Sequence, residues 1–244
     1  MTTTPFMKAG TALGLSLALL VGFVPVLPAA AAYEEPPIGY FSSHDDDEDE
    51  DEDNDRYSRY SSRRTSYSSS IQRKVNNLDD DEVENLPIPI LIGVGLNNIW
   101  PNFGDPRDGG ARTHEGEDIM APRGAIVSSP TEAVVVRTGE GSSSGIYVTT
   151  ANPGGESMNF YHLDSIAEGI KAGTEVKAGD ILGYVGNTGN ASGGAPHLHF
   201  EIRKNRRALD PFPRLTKEFS NEVRVRVLTD LLKELQAELA KKLR

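Results

Sequence analysis

Cysteine is absent from this sequence of 244 residues. Its absence excludes a disulfide scaffold, a thiol nucleophile, a zinc site built from cysteine and a cysteine-linked lipid anchor. A protein without disulfides has to rest on its apolar core or on a bound metal. Any metal ligands then have to come from histidine and carboxylate side chains.

A net positive charge is also absent, because the formal net charge is −11. The run DDDEDEDEDND at residues 45–55 contains ten carboxylates, and the rest of the chain has 26 acidic against 25 basic residues. The acidity therefore belongs to one segment, and there is no basic face for nucleic acid. We predict no nucleic-acid partner.

The first 32 residues have the pattern of an export signal. Lys8 precedes an almost wholly apolar run from residue 9 to residue 27, and Ala29–Ala32 offers the small residues that a signal peptidase needs. We predict a signal peptide at residues 1–32 and a protein that is exported to the periplasm, the cell envelope or the extracellular space. The alternative is an uncleaved anchor helix, the one case in which the chain would contact a membrane.

Residues 33–85 are of low complexity. The acidic run is followed by RYSRYSSRRTSYSSSIQRK, and neither part offers enough apolar surface to offset the entropy of ordering. We predict a disordered linker that acts as a solvated spacer, with loose Ca²⁺ binding by the acidic run as the alternative. His44, at the edge of that run, is expected to be solvated.

From residue 86 to residue 213 the texture changes to short apolar segments between Gly, Pro, Asn and Asp turns. Runs such as TEAVVVRTG, SMNFYHLDS and HLHFEIR are rich in Val, Ile, Tyr and Phe and are of strand length. Such spacing predicts a mainly β domain built from an antiparallel sheet or sandwich.

Residues 214–244 change period again. Leucines recur there at steps of three and four among Lys, Glu and Gln, which predicts an amphipathic C-terminal helix: Leu228, Leu231, Leu232, Leu235, Leu239 and Leu243. Docking on its own domain or weak pairing with a second copy is the simplest use of this helix. A protein partner that binds through it is the alternative.

The remaining four histidines all lie in the β-rich region, in the clusters THEGED, NFYHLDS and APHLHFE. His114 and Asp118 could supply two ligands to a catalytic zinc, whose usual set is three imidazole or carboxylate ligands and one water. Their spacing suits a helical turn or a glycine-containing loop, and Glu115 and Glu117 compete with Asp118 on sequence alone.

The segment HLH places His197 and His199 on one face of a strand, roughly 6–7 Å apart at the backbone. Both could bind one metal, or one could bind while the other reaches the water or the substrate, and spacing does not choose between these. His162 is the remaining candidate for a base or for a donor to the developing oxyanion.

These motifs together resemble a known enzyme family. The runs FGDPRDGGARTHEGEDIMAPRGAIV, YHLDS and ILGYVGNTGNASGGAPHLHFEIR are similar, over residues 95–212, to the catalytic domain of the lysostaphin/LytM-type zinc metallopeptidases, which cut the peptide part of bacterial cell walls. The resemblance rests on HxxxD and HxH in the right order, with a histidine between them and a Gly-rich approach to HxH.

The resemblance implies a small antiparallel β fold with an open groove, one Zn²⁺ per domain and peptidoglycan as the partner. By position in the motifs, His114, Asp118 and His199 would be the metal ligands, and His162 and His197 would be the catalytic pair. The implied reaction is peptide-bond hydrolysis by a metal-activated water assisted by two histidines.

Two functional alternatives and the role of one glutamate stay open at the level of sequence. The domain could be a catalytically silent module that binds the wall or regulates a wall hydrolase, or it could cut glycine-rich proteins. Glu201, two residues after His199, is either a partner that orients an imidazole or a solvated carboxylate at a strand edge.

Overall fold

The structure is a computed structural model, and it describes residues 67–243. The predicted signal, the acidic run and His44 lie outside the described residues. Two α-helices are present in the described part, α1 (Ser69–Val75) and α2 (Asn221–Lys242). Fourteen strands lie between them: β1 (Leu86–Pro87), β2 (Ile99–Trp100), β3 (Pro106–Arg107), β4 (Arg112–Thr113), β5 (Glu117–Met120), β6 (Ile126–Ser128), β7 (Ala133–Gly141), β8 (Gly145–Asn152), β9 (Glu156–Ile166), β10 (Glu175–Val176), β11 (Ile181–Val185), β12 (His197–Lys204), β13 (Arg207–Leu209) and β14 (Leu215–Lys217).

One ten-stranded antiparallel sheet forms the domain. Its main path is β10-β7-β8-β9-β12-β5-β2, while β11 pairs with β6 and β9, and β13 pairs with β12. Strands β7, β8, β9 and β12 are the long members, and β-branched and aromatic residues favour this state because they pack well on a pleated surface. The prediction of a mainly antiparallel β fold with a C-terminal helix is confirmed.

The core lies on one face of the central strands. Phe160 of β9 and Phe200 of β12 are fully buried, with ring centroids 5.4 Å apart. Leu198 and Ile202 point to the same side of β12 and are equally inaccessible to solvent. This apolar layer fixes the register of β12, because a shift of one residue would exchange its two faces.

The segment before β1 differs from the predicted linker, which extended to residue 85. Ser68 accepts a hydrogen bond from the backbone of Ile71 and begins α1, while Lys74 of that helix pairs with Glu175 at 2.8 Å. The backbone N–H of Gly154 also donates to the carbonyl of Asp79 at 2.9 Å. Polar contacts of this kind leave no apolar period in the sequence, so residues 67–85 were missed as part of the folded domain.

Helix α2 starts later than residue 214, because residues 215–217 form β14 and pair with β1. Its first half packs on the domain through Val227, which contacts Leu91 and Phe219. Its second half exposes Leu232, Leu235 and Leu239 by more than half of their surface. Docking on its own domain therefore accounts for the first turns, and a protein partner for the exposed leucines stays a prediction.

No helix among residues 67–243 combines the length and the hydropathy that a membrane span requires.

Candidate metal and catalytic site

Three neighbouring strands position the histidine cluster. In the antiparallel register, His199 of β12 lies opposite Asp118 of β5 on one side and opposite Tyr161 of β9 on the other. Since residues two apart on a strand share a face, His197 stands on the same side as His199. Tertiary pairing thus brings together residues that are about 80 positions apart in the sequence.

Gly116 permits the close approach of the HEGED loop to β12. A Cβ at this position would lie 2.5 Å from the carbonyl oxygen of Phe200 and 2.9 Å from Nε2 of His199. Either distance is too short for a side chain. The HxxxD spacing is therefore realised as a loop that enters a strand, and the helical turn considered from the sequence is wrong.

His114, Asp118 and His199 form a triangle of potential ligand atoms. The His114 Nε2 to His199 Nδ1 distance is 2.8 Å, and Asp118 Oδ1 lies 3.2 Å and 3.1 Å from these two nitrogens. Two ligands of a tetrahedral zinc with bonds of about 2.0–2.1 Å are separated by roughly 3.3 Å. The triangle fits one face of such a tetrahedron after a small expansion.

Hydrogen bonds behind the two imidazoles set which nitrogen faces the triangle. His114 donates from Nδ1 to the carbonyl of Asn102 at 2.9 Å, and His199 donates from Nε2 to the carboxylate of Glu201 at 3.2 Å. Each ring therefore turns its other nitrogen toward the triangle. Two neutral rings would present lone pairs to each other, and a cation between them removes that repulsion.

The ionised carboxylate of Asp118 also favours a cation at the centre of the triangle. Burial alone would raise the pKa of Asp118, but hydrogen bonds with His114 and His199 hold it well below its usual range. Burial would lower the pKa of His199, yet hydrogen bonds to Asp118 and Glu201 raise it above its ordinary value. The cluster is built to keep a carboxylate ionised beside a positive charge.

His162 and His197 flank this triangle and have a common arrangement. His162 donates from Nδ1 to the carbonyl of Thr188, and His197 donates from Nδ1 to the carbonyl of Ala195, both at 2.9 Å. Their ring centroids are 5.1 Å apart, and Nε2 of His197 lies 3.8 Å from Oδ1 of Asp118. In the neutral rings, Nε2 is therefore the free proton acceptor.

His162 adopts a backbone conformation that is uncommon for a residue with a side chain. Its φ is 62°, and its backbone N–H donates to the carbonyl of Ser144 at 2.9 Å, outside the regular ladder of β9. Burial, together with the nearby His197 and His199, lowers the pKa of His162 to about 4. The neutral form of its ring is thus favoured near neutral pH.

Asp118 is oriented by two residues that sequence reasoning missed. Asn102 donates from Nδ2 to Oδ2 at 2.9 Å, and Arg107 donates from Nη2 to the same oxygen at 3.1 Å. The other oxygen, Oδ1, is left to face the imidazoles. No motif marks Asn102 or Arg107, because their role arises only from the pairing of β2 and β5 with the loop between them.

The two competing glutamates lie elsewhere. Glu117 is buried and accepts hydrogen bonds from the backbone N–H groups of Asn102 and Phe103, while Glu115 is exposed and pairs with Arg203 at 2.7 Å. Among residues 67–243, the group of side chains with metal-ligand spacing is His114, Asp118 and His199.

Glu201 is buried behind His199. It also accepts hydrogen bonds from Asn159 at 2.7 Å and from Arg203 at 3.2 Å. The alternative of a solvated carboxylate at a strand edge is therefore wrong. Its negative charge is shared among three donors, which fixes the ring of His199 in one orientation.

A cleft of about 710 Å³ opens over the cluster. Its walls come from the Asp108–Arg112 loop, from the turn at residues 142–144 between β7 and β8, and from Asn190 before β12. All five predicted site residues, His114, Asp118, His162, His197 and His199, line this one cleft. Their roles as ligands or catalysts are predictions.

Comparison with known proteins identifies the same part of the chain. The sequence profile of Peptidase family M23 matches residues 112–211. The L-Ala–D-Glu endopeptidase of Bacillus subtilis (strain 168) is 34% identical over 139 residues, which cover 53% of this chain and 42% of that protein. The peptidoglycan DD-endopeptidase ShyC of Vibrio cholerae is 30% identical over 119 residues, covering 47% of this chain and 27% of that protein.

Among solved structures, the catalytic domain of lysostaphin from Staphylococcus simulans is 30% identical, with a TM-score of 0.43 over 49% of this chain and 94% of that domain. The chain spans less than half the length of the curated relatives named above. The family resemblance inferred from the motifs is confirmed by the matched residues.

Proposed function

We propose that this chain, whose residues 112–211 match Peptidase family M23, is an exported zinc endopeptidase that hydrolyses peptide bonds of bacterial peptidoglycan. The relatives named as an L-Ala–D-Glu endopeptidase and a peptidoglycan DD-endopeptidase support the substrate class. The signal-like sequence at residues 1–32 supports export to the compartment in which this polymer lies.

The convergence of ring nitrogens on Asp118 carries the proposal. His114 and His199 each donate one N–H to a fixed acceptor and aim the other nitrogen at the same point, 2.8 Å apart. We assign His114, Asp118 and His199 as the ligands of one zinc ion. Zinc in such a set lowers the pKa of a bound water to about 7 and polarises a carbonyl group.

His162 and His197 carry out the proton transfers in this proposal. Each ring is anchored through Nδ1–H on a backbone carbonyl, so Nε2 is free to accept a proton from the attacking water. The protonated ring then donates to the oxygen or nitrogen on which charge develops. The short distance between the two rings allows them to act on the same peptide bond.

Residues behind the cluster fix the orientation of the proposed ligands. Asn102 and Arg107 fix one oxygen of Asp118, and Glu201 fixes the ring of His199. Such partners keep the ligand atoms in place before substrate arrives, which lowers the cost of organising the site during the reaction.

Mass spectrometry of wall fragments tests the proposal directly. Purified sacculi are incubated with the purified chain, with and without a chelator, and with His162→Ala as the inactive control. We expect fragments that arise from cleavage of one type of peptide bond, and their loss in the chelated sample and in the variant. A chain that retains zinc and releases no fragment from walls of several sources would show a silent module instead.

A parallel digestion separates the substrate classes. A pentaglycine peptide and a peptide cross-linked through D-amino acids are offered to the same preparation. Cleavage of the cross-linked peptide alone supports peptidoglycan as the substrate, whereas cleavage of pentaglycine alone would favour glycine-rich proteins.

A further inference from the structure

A second cleft of about 880 Å³ adjoins the cleft over the histidine cluster. The two share part of their lining, so a bound polymer could pass from one into the other without leaving the surface. The shared residues are Gly141, Ser144, Asn159, Tyr161 and Arg203.

The outer wall of this second cleft comes from residues 67–80, ahead of the part of the chain that matches the family profile. Lys74 of α1 donates from Nζ to the carbonyl of Gly173 at 2.9 Å, and Gly154 donates to the carbonyl of Asp79 at the same distance. The segment is thus tied to the rest of the domain at two points.

A series of tyrosine rings extends from His199 into the second cleft. The ring of Tyr161 is stacked on His199, with centroids 5.6 Å apart and planes within 6°. Tyr147 meets Tyr161 edge-on at 6.0 Å, and Tyr67, from the segment before β1, lines the same cleft. Tyr67 and Tyr147 are both partly buried, so they combine an apolar surface with a hydroxyl group.

The charges in the second cleft do not select an ion of one sign. Asp79 and Asp80 lie on the outer wall, and Arg137 lies on β7 beside Tyr67. The positive charge of Arg203 is balanced by ion pairs with Glu115 and Glu201. Aromatic surface with mixed polar groups suits a neutral ligand that has both an apolar face and hydroxyl groups, which describes a pyranose sugar.

We propose that the second cleft binds a sugar unit of the wall glycan next to the peptide that is cut, with Tyr67 and Tyr147 as its contacts. The inference rests on the proposed function, because the glycan and the peptide belong to one polymer. It assigns residues 67–80 to substrate binding, and it places the glycan on the side of the metal cluster to which Tyr161 leads.

Binding of peptide-free wall glycan tests this site without any cleavage. Calorimetric titration of the full chain in the presence of a chelator compares the wild type with Tyr67→Ala and Tyr147→Ala. Loss of one ring contact is expected to weaken binding roughly two- to tenfold. Tyr184→Ala is the matched control, because this tyrosine lies on β11 and lines a different cleft beside α2.

Unfolding of each variant is followed by circular dichroism. Tyr67 lies outside the sheet and outside the core, so Tyr67→Ala tests the same cleft even if Tyr147→Ala lowers the melting temperature. Equal glycan affinity in the wild type and in Tyr67→Ala, or no measurable binding by the wild type, would overturn the proposal.

The same titration with a sugar-free stem peptide separates a peptide site from a sugar site. A loss in Tyr67→Ala that appears with the peptide and not with the glycan contradicts the inference. Glycan binding that depends on both tyrosines supports the second cleft even if no peptide bond is cut. Zinc-dependent cutting without glycan binding would contradict sugar binding in the second cleft and leave the proposed function intact.

Discussion

The two faces of strand β12 have opposite chemical character. One face carries polar side chains: His197, His199, Glu201 and Arg203. The other carries apolar side chains: Leu198, Phe200 and Ile202. The apolar side chains are fully buried, and on the polar face His199 and Glu201 are only 8% and 5% exposed, whereas His197 and Arg203 line the cleft.

The two faces stabilise the protein in different ways. Each large apolar side chain contributes about 1.5–3 kcal/mol when it is buried. On the polar face, hydrogen bonds only offset the loss of water, and the ring of His199 is satisfied through both nitrogens. The apolar face of β12 thus stabilises the fold, while the polar face carries the proposed metal site. A substitution on the apolar face should change stability without changing zinc affinity or rate.

The largest effect is expected from His199→Ala. This change removes a proposed ligand and the contact to Glu201, so zinc and activity should be lost together, with the rate of fragment release reduced by at least ~10³-fold. Metal content by plasma mass spectrometry and fragment release on sacculi measure both. Full zinc occupancy in this variant would show that His199 is not a ligand.

His197→Ala should separate rate from metal binding. His197 lies beside the triangle and its ring donates from Nδ1 to the carbonyl of Ala195, so the variant should keep most of its zinc while its rate falls about 10²- to 10⁴-fold, the usual contribution of a general acid or base. His44→Ala is the control for loss of a histidine, with no change expected. Loss of zinc in proportion to rate would make His197 a ligand.

Glu201→Gln should lower the affinity for zinc without removing a ligand. The amide keeps the volume but loses the charge that orients His199, and such partners are worth about 10- to 100-fold in metal affinity. Competition with a chromogenic chelator measures the change. Glu115→Gln is the matched control, because Glu115 is exposed and its carboxylate accepts from Arg203 rather than from an imidazole, and an equal loss there would contradict the role of Glu201.

The smallest effect is expected from Ile202→Val on the apolar face. Loss of one buried methylene should lower the free energy of unfolding by about 0.5–1.5 kcal/mol, with zinc affinity and rate unchanged. Denaturant unfolding of the chelated protein measures the first, and the assays above measure the others. A large drop in zinc affinity would show that the two faces are coupled.

Much of the fold and of this contrast could be predicted from the sequence. The alternation in HLHFEIR places His197 and His199 on one face, because the side-chain period of a strand is two. The spacing in THEGED also predicts a ligand pair, although it does not separate a loop from a helical turn. Local patterns of this kind need only neighbouring residues.

Other parts of the site depend on contacts between distant residues. Asn102, Arg107 and Thr188 contact site residues only after β2, β5 and β9 have paired, and no local pattern announces these contacts. The positive φ of His162 likewise follows from a register shift near Leu163. The segment at residues 67–85 was not predicted as folded, because polar contacts hold much of it and its sequence is typical of a linker.

Titration of zinc into the chelator-stripped chain tests the central claim most directly. Fragment release from sacculi is followed as zinc is added in substoichiometric steps. We expect activity to rise in proportion to zinc and to reach a plateau at one zinc per chain, with His199→Ala inactive throughout. Full activity before any zinc is added, or complete zinc binding with no fragment released, would contradict the account.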